Sequence, residues 1–183
     1  DLHRIARRQR QMCIRDSTDV LCGASRPGHF RGVTTVVSKL LGIVRPHVAA
    51  FGAKDLQQVL VIKKMVRDLS INTEIEVVPT VRESDGLAMS SRNGYLSHDE
   101  RALAPLFSRT LEETAKLVAE SGSDIETVIA EGKAILSNAG FVVDYLEARH
   151  TYDLSEAWSR TEETAIFGSA FLGTTRLIDN RIV

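Results

Sequence analysis

The sequence predicts an α/β protein in which a unit with a parallel sheet is followed by a small α+β unit. Between residues 47 and 78 an apolar run of strand length, an amphipathic helix and a second strand follow one another, which is the pattern of a βαβ unit. Beyond Ser97, two helix-capping patterns precede strands with alternating apolar residues. The 183 residues are 43% hydrophobic, which is ample for a core.

The first half is predicted to contain two helices and two strands. Apolar residues at three-and-four spacing after Gly32 predict a helix closed by Pro46, with one apolar face made of Val33, Val36, Val37, Leu40, Leu41 and Val44. A strand at 47–51, a helix capped by Asp55 and a strand at 73–78 follow. Because parallel strands end at the same edge of a sheet, a ligand is expected at the carboxyl ends of these two strands.

The second half is predicted to be α+β. Residues 82–94 are polar and lack a period, which indicates a long ordered loop or an interdomain hinge. Ser97 with Glu100 forms a capping box for a single helix through Val118, and Ser123 with Glu126 repeats the pattern for a helix that stops near residues 138–140. Alternation around residues 143–145, with strand-like stretches at 165–172 and 176–178, predicts a small antiparallel sheet.

The overall charge and the cysteines narrow the class of protein. A formal net charge of -1 argues against general nucleic-acid binding, which usually needs a basic surplus. The sequence shows no run of eighteen apolar residues and no secretion signal, so a cytoplasmic protein without membrane partners is expected. Cys13 and Cys22 lack metal-site or disulfide spacing and are interpreted as ordinary thiols, and no metal-binding residues are expected.

Residues 1–16 differ in composition from the rest of the chain. They contain five arginines against Asp1 and Asp16, and residues 7–17 (RRQRQMCIRDS) resemble translated sequencing-adapter sequence. We interpret residues 1–16 as a non-native prefix. The alternative is an RNA-binding arm, although the segment lacks the interleaved aromatic residues of a stacking surface.

A first polar cluster lies at residues 26–30 (RPGHF), just before the first predicted helix. The amino end of a helix exposes N–H groups and the positive end of its dipole, so Arg26, His29 and Arg31 could receive a phosphate or carboxylate there. The alternative interpretation is a tight turn at Pro27 and Gly28 with solvated charges.

A second polar cluster, residues 52–58 (GAKDLQQ), follows the first strand of the predicted parallel sheet. Glycine allows a ligand to approach closely, lysine supplies a charge for phosphates, and aspartate can accept from a ribose hydroxyl. The alternative is that Asp55 serves only as a helix cap and Lys54 only as a surface charge.

A third polar cluster, residues 89–93 (MSSRN), lies in the long loop. Two hydroxyls and a guanidinium within three residues can bind a triphosphate, and a mobile loop can close over it. An ordinary polar loop is the alternative.

Four segments in order resemble successive blocks of the pantothenate synthetase family: LCGASRPGHFRGV, FGAKDLQQ, VPTVRESDGLAMSSRNGYL and LGTTRLIDN. The resemblance covers the chain from about Thr18 to its end. It implies a partial Rossmann-like nucleotidyltransferase domain at residues 17–81 and an α+β lid domain at 82–183. It also implies an ATP-dependent ligase with magnesium, which joins pantoate to β-alanine through pantoyl adenylate. A non-catalytic nucleotide-binding module is the alternative.

The resemblance also implies roles for individual residues. Catalytic roles fall to His29, Lys54, Ser90 and Arg92, and Gln58 would bind pantoate while Arg26 lines the substrate cleft. ATP contacts would come from two sets, listed here in chain order: Gly52, Ala53, Lys54, Asp55 and Val81, then Met89, Ser90, Ser91 and Arg92. Lys54 would contact phosphate, Asp55 the ribose and Val81 the adenine.

Two departures from the family pattern bear on activity. Ala53 stands where many members have glutamate. The family's P-T-M-G-x-L-H-x-G-H block, whose histidines hold the triphosphate, has no counterpart in these 183 residues. We therefore expect the chain to be a fragment with little or no turnover by itself, and we do not expect the homodimer of the intact family.

Overall fold

The computed structural model describes residues 18–120, 124–157 and 163–183. The prefix 1–16 and Cys13 lie outside the described residues. The chain packs as two compact units, one extending to Pro79 and including Tyr152–Ser155, the other comprising Thr80–Thr151 and Glu156–Val183. Val81, which the sequence assigns to the first domain, packs within the second unit.

The first unit contains the predicted βαβ arrangement. In chain order its elements are helix α1 (Cys22–Ser25), helix α2 (His29–Val44), strand β1 (Val48–Gly52), a 3₁₀ turn (Ala53–Asp55), helix α3 (Leu56–Asp68) and strand β2 (Glu74–Val78). Strands β1 and β2 are parallel, with Gly52 opposite Val78 at their carboxyl ends. The expected parallel pairing is confirmed.

Helix α2 begins three residues before the predicted start and buries only part of the predicted apolar face. It begins after Gly28, whose φ of 80° is the left-handed conformation that glycine favours. It ends at Val44, with Arg45 as its C-cap directly before Pro46, because the proline ring disfavours helical geometry in the residue that precedes it. Leu41 is buried against Ile62 and Met65 of α3, and Val33 and Val37 pack beside them. The other predicted face residues are exposed: Val36, Leu40 and Val44.

The second unit places three helices beside an antiparallel sheet. It contains a 3₁₀ turn (Ser91–Tyr95), helices α4 (His98–Leu103), α5 (Pro105–Ala119) and α6 (Ile125–Asn138), and strands β3 (Val142–His150), β4 (Thr164–Leu172) and β5 (Thr175–Ile182). The sheet order is β3-β4-β5, with both pairings antiparallel. Phe107, Leu111, Leu146 and Ile166 are almost completely buried in the core between helices and sheet. The predicted α+β character of this half is confirmed.

Two predicted helix boundaries in this unit need correction. The capping box of Ser97 with Glu100 is present, but the single predicted helix is two helices, because Pro105 has no N–H to continue the hydrogen-bond ladder and instead begins α5. Ser123 lies outside the described residues, and the cap of α6 is Asp124, which accepts from the Thr127 N–H. The predicted end of α6 is confirmed, with Gly140 at a φ of 95°.

Candidate functional site

The second polar cluster lies where the parallel sheet predicts a ligand. Gly52 is the last residue of β1 and pairs with Val78, the last residue of β2. The 3₁₀ turn Ala53–Asp55 follows at once and leads into α3. This turn therefore lies at the carboxyl edge of the sheet, next to the positive end of a helix dipole.

The local geometry of this turn leaves open space at Gly52 and an exposed carboxylate at Asp55. A Cβ built on Gly52 would have no neighbour within 4 Å. Lys54 is half-buried, while Asp55 is exposed. Asp55 holds the N-cap position of α3, yet its carboxylate makes no capping hydrogen bond. The interpretation of Asp55 as only a helix cap is therefore not supported, because its side chain makes no capping hydrogen bond.

The two glutamines of this cluster have different roles. Gln57 is only 5% exposed. Its Oε1 accepts from the Cys22 N–H at 3.1 Å, and its Nε2 donates to the Val20 carbonyl at 2.8 Å. Gln58 is half-buried. Gln57 thus ties the segment before α1 to the first turn of α3, a role that the sequence analysis missed because no local pattern distinguishes the two glutamines.

The first polar cluster forms the turn that leads into α2. The His29 N–H donates to the Arg26 carbonyl at 3.0 Å, and Gly28 has φ 80° and ψ -6°, so residues 26–29 form a type II turn. This turn brings Arg26 Nη1 within 3.3 Å of His29 Nε2. The His29 ring also lies 5.0 Å from the ring of Phe30. The tight turn and the cluster of polar side chains are therefore both present, since the turn itself brings Arg26 and His29 together.

Both clusters lie on the same side of the first unit. Helix α3 starts directly after β1, at the carboxyl edge of the sheet. Helix α2 packs against α3 and ends just before β1 begins, so it runs antiparallel to β1 and starts near that same edge. The cavity of about 210 Å³ in this unit lies further along the two helices, and none of the predicted site residues lines it.

The third polar cluster belongs to the second unit. The Met89 N–H donates to the Val81 carbonyl at 3.0 Å, next to an antiparallel bridge between Arg82 and Ala88. Paired positions of antiparallel strands direct their side chains to the same side, and Val81 and Met89 are 64% and 52% exposed. Val81, which is expected at the adenine, and Met89, which is expected among the other ATP contacts, therefore form one exposed apolar patch.

The tip of this loop is short and its ends are anchored. Ser91 and Arg92 are exposed, and Ser90 Oγ accepts from the Arg92 N–H at 3.2 Å. Beyond the tip, Asn93 Nδ2 donates to the Ala88 carbonyl at 3.1 Å. The tip between Met89 and Asn93 is therefore anchored at both ends.

The front of the loop is also held by charge. Arg101 of α4 donates to Asp85 at 2.6 Å, and Asp85 also accepts from the Leu87 N–H at 3.1 Å. The hydrogen bond from Arg101, followed by the one from Leu87, lowers the pKa of Asp85 below its usual value. The residues between Arg82 and Ala88 therefore form an ordered base and not a freely moving loop.

The sequence analysis also missed Asp179. It lies in the RLIDN segment of β5, and its side chain is 1% exposed. Arg82 at the base of the third cluster donates to it twice, at 2.7 and 2.9 Å. The available signal was a carboxylate at an inward position of a strand that is otherwise amphipathic.

The predicted site residues are thus divided between the two units. The first unit holds His29, Arg26, Gly52–Asp55 and Gln58, and the second holds Val81 and Met89–Arg92. The convergence of Lys54, His29 and Arg92 on one triphosphate stays a prediction. The described residues contain no group of three or more His, Cys, Asp or Glu side chains able to hold a metal ion. No helix in the described ranges has the length and apolar character needed to span a membrane.

The fold and the site define an α/β protein with candidate ligand-binding turns at the carboxyl edge of a parallel sheet. Residues 6–182 match the family described as pantoate-beta-alanine ligase, and the chain belongs to that family. The match includes residues 6–16, so the interpretation of residues 1–16 as a non-native prefix stays a prediction.

Relatives and solved structures agree with this membership. The chain is 53% identical over 163 residues to the pantothenate synthetase of Shewanella oneidensis, covering 89% of this chain and 58% of that protein. It is 49% identical over 172 residues to that of Pseudomonas putida, covering 94% and 60%. The crystal structure of pantothenate synthetase from Thermus thermophilus superposes with a TM-score of 0.85 at 40% identity, covering 91% of this chain and 60% of that one.

A further solved structure contains ligands. Pantoate-beta-alanine ligase from Francisella tularensis, complexed with beta-gamma ATP and beta-alanine, superposes with a TM-score of 0.67 at 34% identity, covering 91% of this chain and 55% of that one. The chain thus spans well under two thirds of the length of these relatives. The resemblance found in the sequence is confirmed.

Proposed function

We propose that this chain carries ATP- and pantoate-binding residues of an AMP-forming ligase that makes pantothenate from (R)-pantoate and β-alanine. Pantoate and ATP would form pantoyl adenylate and diphosphate, and β-alanine would then displace AMP. Family membership and the names of the relatives support this reaction. The ligands of the Francisella tularensis structure, beta-gamma ATP and beta-alanine, support ATP and β-alanine as substrates.

The observation that carries the proposal is the turn at the carboxyl end of β1. Gly52 leaves open space above the backbone, and the exposed carboxylate of Asp55 makes no capping bond. A ligand backbone or phosphate can therefore approach Gly52 and Ala53, with Lys54 as the cation for phosphate. We propose that Asp55 accepts a hydrogen bond from a ribose hydroxyl. Gln58, one turn into α3, is proposed to bind pantoate.

The remaining roles are proposed for two other segments. Val81 and Met89 form the exposed apolar patch to which an adenine ring is suited. Ser90, Ser91 and Arg92 at the adjoining tip offer hydroxyls and a guanidinium for phosphate oxygens.

The turn before α2 supplies further groups that can bind phosphate. His29 is proposed as a catalytic group for the triphosphate, and Arg26, within 3.3 Å of it, as a residue lining the same region. Both stand at the amino end of a sixteen-residue helix that has no acidic residue in its first turn, so its dipole favours an anion there.

These groups suit the charge changes of adenylation. Attack of the pantoate carboxylate on the α-phosphate places negative charge on the α-phosphate oxygens and on the departing diphosphate. Lys54, Arg92 and His29 would stabilise that charge if they are held in position before the reaction. Magnesium would arrive with ATP, bound mainly by phosphate oxygens, and Asp55 is an exposed carboxylate beside the proposed phosphate site.

Calorimetry with ATP and magnesium tests the proposal on this chain. We expect saturable heat that weakens at least about tenfold in Lys54→Met, because a charge-assisted phosphate contact is lost. Lys63→Met is the matched control, since Lys63 is exposed on α3 of the same unit and should leave affinity unchanged. Absence of saturable heat in the unsubstituted chain would contradict the proposed ATP site.

Binding of pantoate and turnover separate the ligase from a non-catalytic nucleotide-binding module. The ligase predicts pantoate binding that is lost in Gln58→Met, whereas a simple nucleotide-binding module predicts none. We expect no appreciable pantothenate from the 183 residues alone, since the family's histidine block has no counterpart in them. Measurable pantothenate would show that this expectation of inactivity is wrong.

The partners and location form the rest of the proposal. Small molecules, and not nucleic acids or membranes, are proposed as partners, in agreement with a net charge of -1. A cytoplasmic location is proposed because the reaction belongs to small-molecule biosynthesis. The homodimer that the resemblance implies for the intact family is not expected of these 183 residues, and sedimentation can test this prediction.

A further inference from the structure

The base of the third cluster contains a buried ion pair that joins distant parts of the second unit. Arg82 and Asp179 are separated by 97 residues, yet Arg82 Nη1 and Nη2 donate to the two carboxylate oxygens of Asp179 at 2.7 and 2.9 Å. The Asp179 side chain is 1% exposed and that of Arg82 is 25% exposed. A bidentate contact of this kind fixes the orientation of the guanidinium relative to the carboxylate as well as their distance.

Further groups complete the surroundings of the Asp179 carboxylate. Ser108 Oγ of α5 lies 2.9 Å from Asp179 Oδ2, and the Asn180 N–H donates to Oδ1 at 2.8 Å. Arg181 Nη1 lies 3.3 Å from each carboxylate oxygen, and its Nη2 donates to Ser108 at 2.9 Å. Two guanidinium groups and a hydroxyl thus offset the loss of hydration of one carboxylate.

The same groups hold the backbone of the loop. Arg82 Nη1 donates to the Gly86 carbonyl at 3.1 Å, and Ser108 Oγ lies 2.9 Å from that oxygen. Gly86 has a φ of 89°, a conformation that glycine adopts without strain. Leu87, the next residue, is 2% exposed and packs in the core of the unit. Arg82 and Ser108 therefore hold the loop base onto α5 and β5 at Arg82 and at Gly86.

The loop base in turn holds the proposed nucleotide-binding residues. The Arg82–Ala88 bridge places Val81 beside Met89, joined by a hydrogen bond of 3.0 Å. The tip leaves this bridge at Met89 and returns to it at Asn93, which donates to the Ala88 carbonyl. Any rotation of the bridge would therefore move both the apolar patch and the tip.

We propose that the Arg82–Asp179 pair, together with Ser108, is a positioning unit. It holds the loop base in one conformation before nucleotide binds. The pair does not touch nucleotide itself. It acts through the Arg82–Ala88 bridge on Val81 and Met89, and it confines motion to the tip. The identity of the ligand rests on the function proposed above, whereas the positioning role concerns this chain's own backbone.

Amide hydrogen exchange of the whole chain tests the positioning role. Arg82→Lys keeps the charge but loses the bidentate contact. In this variant the exchange rates of the Met89 and Glu83 amides should rise at least about tenfold, while the amides of the β3–β4 pairing keep their protection. Asp179→Asn should give a larger rise at the same amides.

Asp144→Asn is the matched control. Asp144 pairs with Arg176 at 2.7 Å and, like Asp179, lies in the antiparallel sheet, on β3. It should leave the Met89 and Glu83 amides unchanged. An equal rise in the control, or a rise spread over all amides in Arg82→Lys, would overturn the positioning role, because it would show general destabilisation only.

Addition of ATP and magnesium supplies the second readout. Changes in exchange should be confined to Val81 and the tip, with the Glu83 and Gly86 amides unchanged, and Arg82→Lys should bind ATP at least about tenfold more weakly. New protection of Glu83 and Gly86 on binding would overturn the idea of a preset base. Failure of the unsubstituted chain to bind ATP would refute the proposed function, while the exchange of the variants would still decide the positioning role.

Discussion

Replacement of Gln57 by methionine should loosen the segment that carries the cationic turn before α2. Methionine has nearly the same volume, so packing around this 5% exposed side chain is largely kept. Its two hydrogen bonds, from the Cys22 N–H at 3.1 Å and to the Val20 carbonyl at 2.8 Å, are lost. Arg26 and His29 follow this segment, so their position relative to Lys54 depends on the hydrogen bonds of Gln57.

The magnitude follows from the groups that lose their partners. A buried polar group without a partner is destabilising by about 1–3 kcal/mol. Val20 and Cys22 are half-buried, so water can replace part of each bond, and the two losses together should lower the free energy of unfolding by about 1–3 kcal/mol. Urea unfolding measures this difference, with an unchanged m-value as the sign of an intact native state.

Amide hydrogen exchange distinguishes the loss of the Gln57 hydrogen bonds alone from a loosening of the whole segment around α1. The Ser25 N–H donates to the Leu21 carbonyl at 3.1 Å, a hydrogen bond within the segment itself, so it reports the segment as a whole. Its exchange should rise about 5- to 150-fold, the equivalent of 1–3 kcal/mol. Gln58→Met is the control and should change stability by less than about 0.5 kcal/mol. If Ser25 keeps its protection in Gln57→Met, the reasoning that Gln57 ties this segment is refuted.

Two further predictions concern the turn after β1 and the base of the loop. Gly52→Ala should leave stability unchanged or raise it by about 0.4–1 kcal/mol, because φ is -73° and no atom lies within 4 Å of the new Cβ. ATP binding should nevertheless weaken measurably in calorimetry, and unchanged affinity would argue against close approach of the ligand at Gly52. The lowered pKa of Asp85, caused mainly by Arg101, predicts a contribution to stability that is present above the unfolded pKa near 3.8 and lost as pH falls through the lower folded pKa. The free energy of unfolding, measured in urea, should therefore fall less on acidification below about pH 4 in Arg101→Gln than in the unsubstituted chain. Identical pH profiles would contradict the role of Arg101 in lowering the pKa of Asp85.

Much of the fold could be predicted from local sequence because helices and strands have local patterns. The βαβ unit follows from a strand-length run, three-and-four spacing and a second strand, all within residues 47–78. The capping box of Ser97 with Glu100 involves residues three apart, so its hydrogen bonds depend on little else. The position of the second polar cluster at the carboxyl edge of the sheet also followed, since Gly52 ends a strand that pairs in parallel with β2.

Local patterns were insufficient where burial depended on the neighbours of a helix. Val36 and Leu40 belong to the same apolar stripe as Leu41, but they are exposed while Leu41 packs against α3. Spacing gives the direction of a side chain around the helix axis, but it does not say which part of a broad apolar stripe meets a packing partner.

Which residues support the candidate site through hydrogen bonds depends on the tertiary structure. Gln57 and Gln58 are chemically identical neighbours, and only the course of the chain at Val20 and Cys22 gives Gln57 its two hydrogen-bond partners. Arg82 and Asp179 meet across 97 residues, and no periodic pattern links positions so far apart. The sequence alone determined which segments are helix, strand or polar turn, because those choices depend on residues a few positions apart. The tertiary structure decided which polar side chains support those turns, because a buried hydrogen bond requires a partner that only the folded chain brings within about 3 Å.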